Sequence, residues 1–383
     1  MLALLSIPRI FTPLPLTIDY GMYVPNMARL ILADGISFEG KPFGANTDTQ
    51  GEVVFNTGMV GYPESLTDPS YNGQILVLTY PMVGNYGIPA DTKDKWDIKE
   101  FFESGKIQIR ALIVSEYCED FHHWNAKCSL GDWMKKQNIP GIYGVDTRML
   151  TQKLREHGVM LGQIVQDGKQ PSKVIKDPNE TNLVAEVSIK KPVIYNDGRG
   201  KKRIIAIDTG IKNNIIRSFL KRDVTFIRVP WNYDIFKSKY KFDGVFIANG
   251  PGNPEVLHET HETIKKAMER QIPTFGICLG IQIMAIAAGA KTYKLKYGHR
   301  AQNQPVMDLK TKKCYLTSQN HGFAVNAKTL PKGWEIWMVN NNDKTVEGIR
   351  HKKLPFMAVQ FHPESTPGPL DTDFLFDEFL KMV

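Results

Sequence analysis

The segment Gly276-Ile277-Cys278-Leu279-Gly280 constrains this chain more than any other. Ile272-Pro273-Thr274-Phe275 before it reads as a short buried strand, and Ile281 to Ala288 after it as the first turns of an apolar helix. A strand that turns directly into a helix over two glycines and a cysteine fits an α/β layer. Small residues permit the tight turn, and the sulfur then points away from the sheet. Free N–H groups and the positive end of the dipole at such a corner favour thiolate over thiol. A free cysteine is by itself ordinary core material. The flanking glycines, and partners further along the chain, set this one apart.

Those partners lie near the C-terminus. Phe356-Met357-Ala358-Val359-Gln360-Phe361 reads as a buried strand running into His362-Pro363-Glu364. Residues two apart in an extended chain face the same way, so His362 and Glu364 are expected to present their side chains together. Imidazole can serve as base and acid near neutral pH, and a carboxylate beside it fixes its tautomer and stabilises its cation. Cys278, His362 and Glu364 are therefore read as a nucleophile, base and orienter.

The rest of the chain organises around that reading. From Arg203-Ile204-Ile205-Ala206-Ile207-Asp208 onward, strands alternate with helices near 212–221, 256–270 and 279–288. This βαβα order predicts an α/β fold whose C-terminal part is a doubly wound, mainly parallel sheet with ligands at the C-terminal ends of its strands. Residues 27–189 read as a mixed α/β domain of short strands, Gly-containing turns and helices at 130–137 and 146–156. Residues 190–202, with Lys190-Lys191-Pro192 and Asp197-Gly198-Arg199-Gly200-Lys201-Lys202, read as a linker to a second domain at 203–383.

Gly276-Ile277-Cys278-Leu279-Gly280-Ile281-Gln282 with His362-Pro363-Glu364 resembles the class I, triad-type glutamine amidotransferases. The resemblance implies glutamine hydrolysis through a cysteinyl thioester, with the ammonia handed to a synthase. Asn249-Gly250-Pro251-Gly252-Asn253-Pro254 follows the strand 244–248 and is similar to the family's oxyanion loop, which implies that the N–H groups of Gly252 and Leu279 hold the oxyanion. Gln319-Asn320-His321-Gly322-Phe323-Ala324-Val325 resembles the glutamine-binding loop of the carbamoyl-phosphate synthetase small-subunit family. So do Gly51 to Pro63, Leu66-Thr67-Asp68-Pro69-Ser70-Tyr71, Gly84 to Gly87 and Gly144 to Arg148, which other class I amidotransferases lack. Carried over residue by residue, the match implies that Ser70, Gly250, Gly252, Leu279, Gln282, Asn320, Gly322 and Phe323 bind glutamine or wall its pocket. His321 is not read as the base, because His362 has the carboxylate.

Composition sets further bounds. A length of 383 residues suits two domains. Cys118, Cys128, Cys278 and Cys314 have no regular spacing, which predicts a reduced compartment. Cys118, Cys128 and His122-His123 lack metal-ligand spacing, so no metal is expected. No apolar run has transmembrane length, and the net charge of +8 is spread along the chain, which argues against nucleic acid and membrane as partners. No phosphate-binding GxxxxGK[ST] loop is present. The resemblance therefore implies that ATP and Mg are used by a synthetase large subunit or domain that makes carbamoyl phosphate from bicarbonate, for pyrimidine or arginine synthesis, and that this chain carries no cofactor of its own. Residues 1–26, apolar and Pro-rich, match neither a secretory signal nor a transit peptide. An organelle-targeting segment and a start at Met22 or Met27 both stay open, so the expected compartment is cytoplasmic with a mitochondrial alternative. An amidotransferase of another synthase and a non-catalytic relative are the competing readings. The first is disfavoured by the N-terminal domain, the second by the presence of all three candidate catalytic residues.

Overall fold

Two sheets, each packed on both faces, carry the chain in a computed structural model that describes residues 27–383. The reading of residues 1–26 lies outside the described residues. The first sheet is a closed barrel of seven strands: β1 (Ala28–Leu32), β2 (Ser37–Gly44), β3 (Thr49–Asn56), β4 (Gln74–Leu78), β5 (Ala111–Ile113), β6 (Pro140–Tyr143) and β7 (Met160–Val165). Their order is β1-β7-β3-β4-β5-β6-β2, and antiparallel pairing of β1 with β2 closes it. Neighbouring side chains on β3, β4 and β5 go to opposite faces. Val53, Phe55, Ile75 and Ile113 pack with Leu150 and Leu154 of the helix Thr147–His157, while Val54, Leu76 and Leu112 pack with Leu66, Leu130 and Met134. Strands buried on both faces explain the near-continuous apolar runs of this part of the sequence.

The second sheet has ten strands: β8 (Val193–Tyr195), β9 (Lys202–Asp208), β10 (Val224–Pro230), β11 (Gly244–Ile247), β12 (Thr274–Ile277), β13 (Thr292–Asp308), β14 (Cys314–Val325), β15 (Trp334–Asn340), β16 (Val346–His351) and β17 (Phe356–Val359). The order is β8-β10-β9-β11-β12-β17-β16-β15-β13-β14. The block β10-β9-β11-β12-β17 is parallel throughout, and the remaining pairings are antiparallel. Ile204, Phe246, Phe275 and Met357 face one way, against Phe219 and Phe376. Ile205, Val245 and Ala358 face the other, against Ile264 and Ile283 of the helices His258–Glu269 and Leu279–Ala287. Helices on both faces of a parallel block make this the doubly wound layer that the sequence predicts. The antiparallel arm β16-β15-β13-β14 extends it.

Within residues 190–202, read as a linker, Val193–Tyr195 pairs with Phe226–Arg228 as an edge strand and packs Ile194 and Tyr195 onto the two cores. The strand read at 272–275 runs instead over Thr274–Ile277, since Pro273 has no N–H to give the ladder and the first bond there is Thr274 N–H to the Pro355 carbonyl.

Candidate active site

The strand β12 lies between β11 and β17, so the residues after the three strands meet at one end of the sheet. Cys278 caps the helix Leu279–Ala287 with φ 56° and ψ −103°, an unfavourable conformation for a residue with a Cβ. Glycines on both sides let the corner exist. A Cβ on Gly280 would run into the Ile247 carbonyl, and one on Gly276 would sit 2.7 Å from backbone atoms of Gly280. A Cβ on Gly250 would overlap the Thr209 carbonyl, so the loop after β11 also needs glycine to pack this close. The Cys278 N–H is held by the Val359 carbonyl at 2.8 Å, and its Sγ lies 3.5 Å from the Asn320 carbonyl oxygen.

His362 and Glu364 meet as expected, although by a turn and not in an extended strand. The His362 N–H bonds the Ser318 carbonyl, and the Ser365 N–H closes the turn onto the His362 carbonyl. His362 Nδ1 lies 2.6 Å from Glu364 Oε1, and Nε2 is buried with no oxygen or nitrogen partner. Burial opposes charge on this imidazole, but the Glu364 carboxylate and then Cys278 outweigh it and raise its pKa to about 10. An imidazolium at His362 suits a thiolate at Cys278.

Lys212 completes this array and was not picked out from the sequence. It is 3% exposed, with Nζ 3.0 Å from Glu364 Oε1 and 2.5 Å from the Ser365 carbonyl. Burial raises the Glu364 carboxyl, yet Lys212 and then His362 carry it down to about 2. The same carboxylate, with Glu103 and Asp68, holds the buried Lys212 ammonium well above its ordinary value. The one sequence signal for Lys212 is its place just beyond the C-terminal end of β9, where parallel sheets collect functional groups.

A pocket with about 470 Å³ of open space faces Cys278. Ser70, Gly250, Gly252, Leu279, Gln282, Asn320, Gly322 and Phe323 all line it, so every predicted binding residue reaches one place. His362 and Glu364 stand behind Cys278 and not in the wall. Ser70 comes from the barrel side, where its hydroxyl accepts from Asn249 Nδ2 at 2.9 Å, and Asn320 Nδ2 donates to Asp68 at 2.9 Å. Gln282 Nε2 donates to the Phe323 carbonyl at 2.9 Å and to Gln360 Oε1 at 3.1 Å, tying the helix to the loop. The sequence did not indicate Glu52, Lys294 and Arg300, which also line the pocket. Glu52 and Lys294 pair at 2.6 Å between the barrel and β13, and distant partners of that kind leave no local pattern.

The model of the glutamine amidotransferase class-I family matches residues 205–382, and that of the carbamoyl-phosphate synthase small chain, CPSase domain, matches residues 30–164. The carbamoyl phosphate synthase small chain of Pyrococcus furiosus is 45% identical over 369 residues, covering 94% of this chain and 99% of that protein. The chain belongs to the carbamoyl-phosphate synthase small-chain family. Within it, the arginine-specific small chain of Aspergillus oryzae is 45% identical over 96% of this chain and 82% of its own length. The multifunctional protein CAD of Squalus acanthias is 51% identical over 93% of this chain, yet only 16% of that protein is covered. The chain spans between 16% and 21% of the multifunctional relatives it matches. No helix among the described residues is long and apolar enough to cross a membrane.

Proposed function

We propose that the chain hydrolyses glutamine to glutamate and ammonia and delivers the ammonia to a synthetase partner that makes carbamoyl phosphate. The observation that carries this reading is the buried Cys278–His362–Glu364 array behind a pocket lined by all eight expected binding residues. The Cys278 sulfur attacks the side-chain carbonyl carbon of glutamine, and the N–H groups of Gly252 and Leu279 receive the developing oxyanion. His362 gives its proton to the departing amide nitrogen, which leaves as ammonia, and Cys278 is left as a thioester. His362 then takes a proton from water, whose oxygen attacks the thioester and releases glutamate.

The partner is a carbamoyl-phosphate synthetase large subunit or domain, whether a separate chain or the remainder of a longer one, and it uses ATP, Mg and bicarbonate. This chain needs no cofactor for its own step. The site of action is the cytoplasm, with the mitochondrion as the alternative, and the product serves pyrimidine or arginine synthesis. Steady-state glutamate release by the chain, alone and with a synthetase partner, tests the reading. Cysteine-dependent glutaminase activity that rises with the partner is expected, and no glutamate release in either condition would overturn it.

A further inference from the structure

Beside the pocket, the antiparallel arm buries a second cluster of chemically active groups, one of which, His321, also lines the pocket wall. His299 on β13, His321 on β14 and Glu347 on β16 place one ligand atom each within 4.8 Å of one another, and all three residues are buried. Each imidazole already has one ring nitrogen held by an oxygen. His299 Nε2 lies 2.9 Å from Asp343 Oδ2, and His321 Nδ1 lies 2.9 Å from the Phe323 carbonyl oxygen. Metal-binding histidines are oriented in this way, by a carboxylate or carbonyl on the nitrogen that faces away from the ion. His299 Nδ1 and Glu347 Oε2 are buried without hydrogen-bond partners.

His321 carries a further mismatch. Its Nε2 lies 3.2 Å from Gln319 Oε1. The Thr317 hydroxyl donates to the Gln304 carbonyl and accepts from Gln319 Nε2, an orientation that turns the Gln319 oxygen toward the ring. The imidazole thus has an acceptor oxygen at each nitrogen, and a neutral ring has one proton to give. A cation between His321 Nε2 and Gln319 Oε1 removes the mismatch.

We propose that His299, His321 and Glu347, with Gln319 Oε1 as fourth ligand, form a structural site for a divalent transition metal of the zinc class. Two of the ligand–ligand spacings lie close to those of such an ion. Bonds of 2.0–2.2 Å in a tetrahedral zinc site imply ligand–ligand edges of roughly 3.3–3.6 Å. The Nε2–Oε1 separation is 3.2 Å, and His299 Nδ1 lies 3.6 Å from Glu347 Oε1. The ion would staple β13, β14 and β16 at the pocket wall, which His321 lines together with Asn320, Gly322 and Phe323. Ligand positions 22 and 26 residues apart match no compact metal motif, so the site is readable only in three dimensions.

Cys278 can itself take up thiophilic metal, so the test is made in a Cys278→Ser background on the full chain. The protein is incubated with zinc or cobalt(II), desalted, and assayed for metal by mass spectrometry. The proposal expects about one equivalent retained per chain, a tetrahedral cobalt spectrum without sulfur-to-cobalt charge transfer, and a rise in melting temperature with zinc. Adding Glu347→Gln, which keeps the side-chain shape, should abolish all three. His299→Asn provides an independent second loss should the first variant fold poorly. No metal retained by the Cys278→Ser chain, or the same amount retained with and without Glu347→Gln, would overturn the site and leave His299 as an imidazolium clasped by two carboxylates.

Discussion

Four residues share one electrostatic task at the candidate site, and each substitution should fail in its own way. Cys278→Ser and His362→Asn remove the nucleophile and the base, so glutamine turnover should fall to background in both. Glu364→Gln orients the imidazole less well but transfers no proton. By analogy with the serine triad, its loss should be milder by about two orders of magnitude. Rates measured on the three folded variants check the order, and a dispensable His362 would refute the roles. Lys212→Met acts differently. It leaves the Glu364 carboxylate buried without its strongest cationic partner, a change that typically costs about 3–5 kcal/mol of stability. Urea unfolding should register that loss together with a fall in turnover. The triad was readable in the sequence because nucleophile, base and carboxylate sit in short local patterns. Lys212 was not, since its meaning depends on a residue 152 positions away.

At the scale of elements, strand and helix types followed from pattern, whereas closure and extension did not. The helices at 130–136, 147–157 and 279–287 lie within a residue or two of the sequence reading. Their apolar spacing and caps are local; Asp146, for example, accepts from the Met149 N–H. Barrel closure depends instead on Arg29–Leu32 finding Gly162–Val165 and on Lys41–Gly44 finding Pro140–Tyr143, long-range pairings that have no local signature. The antiparallel arm is concealed in the same way, because β13 is partly exposed and reads as a polar loop. The corner at Cys278 supplies a test of element geometry. Gly280→Ala would press a methyl group onto the Ile247 carbonyl between helix and strand, an overpacking that costs about 1–3 kcal/mol. It should also displace the Cys278 sulfur and abolish turnover. Gly105→Ala, where a Cβ meets nothing within 4 Å, is the matched control and should change neither.

Across the whole molecule, the site sits where the barrel's connecting segments meet the large sheet, and buried charge marks the junction. Glu103, from the barrel side, is fully buried beside the helix Asn213–Leu220. Its Oε2 accepts from the Asn214 N–H at 3.0 Å, and Arg217 lies 3.6 Å from Oε1. Burial pushes its carboxyl up to about 7 despite Lys212 and Arg217, against an ordinary 4.5. A folded pKa above the unfolded one means that the folded chain binds the proton more tightly. Its contribution is therefore fully present below about 4.5 and is lost as pH rises through about 7. Glu364 runs the opposite way, its contribution present above 4.5 and lost as pH falls toward about 2. His362 contributes below its ordinary 6.5 and loses that contribution as pH rises through about 10. Between about pH 5 and 7.5, Glu103 is thus the group at this junction that most weakens the fold as pH rises. Glu103→Gln keeps the shape and the acceptor for Asn214 but removes the titration. Urea midpoints measured at about pH 5 and 7.5 should fall further in the parent than in the variant, and glutamine turnover should gain a flatter dependence on pH across the same interval. Equal falls in both proteins would mean that Glu103 stays ionised in the folded chain, held by Lys212 and Arg217, and that the junction is insensitive to pH in this range.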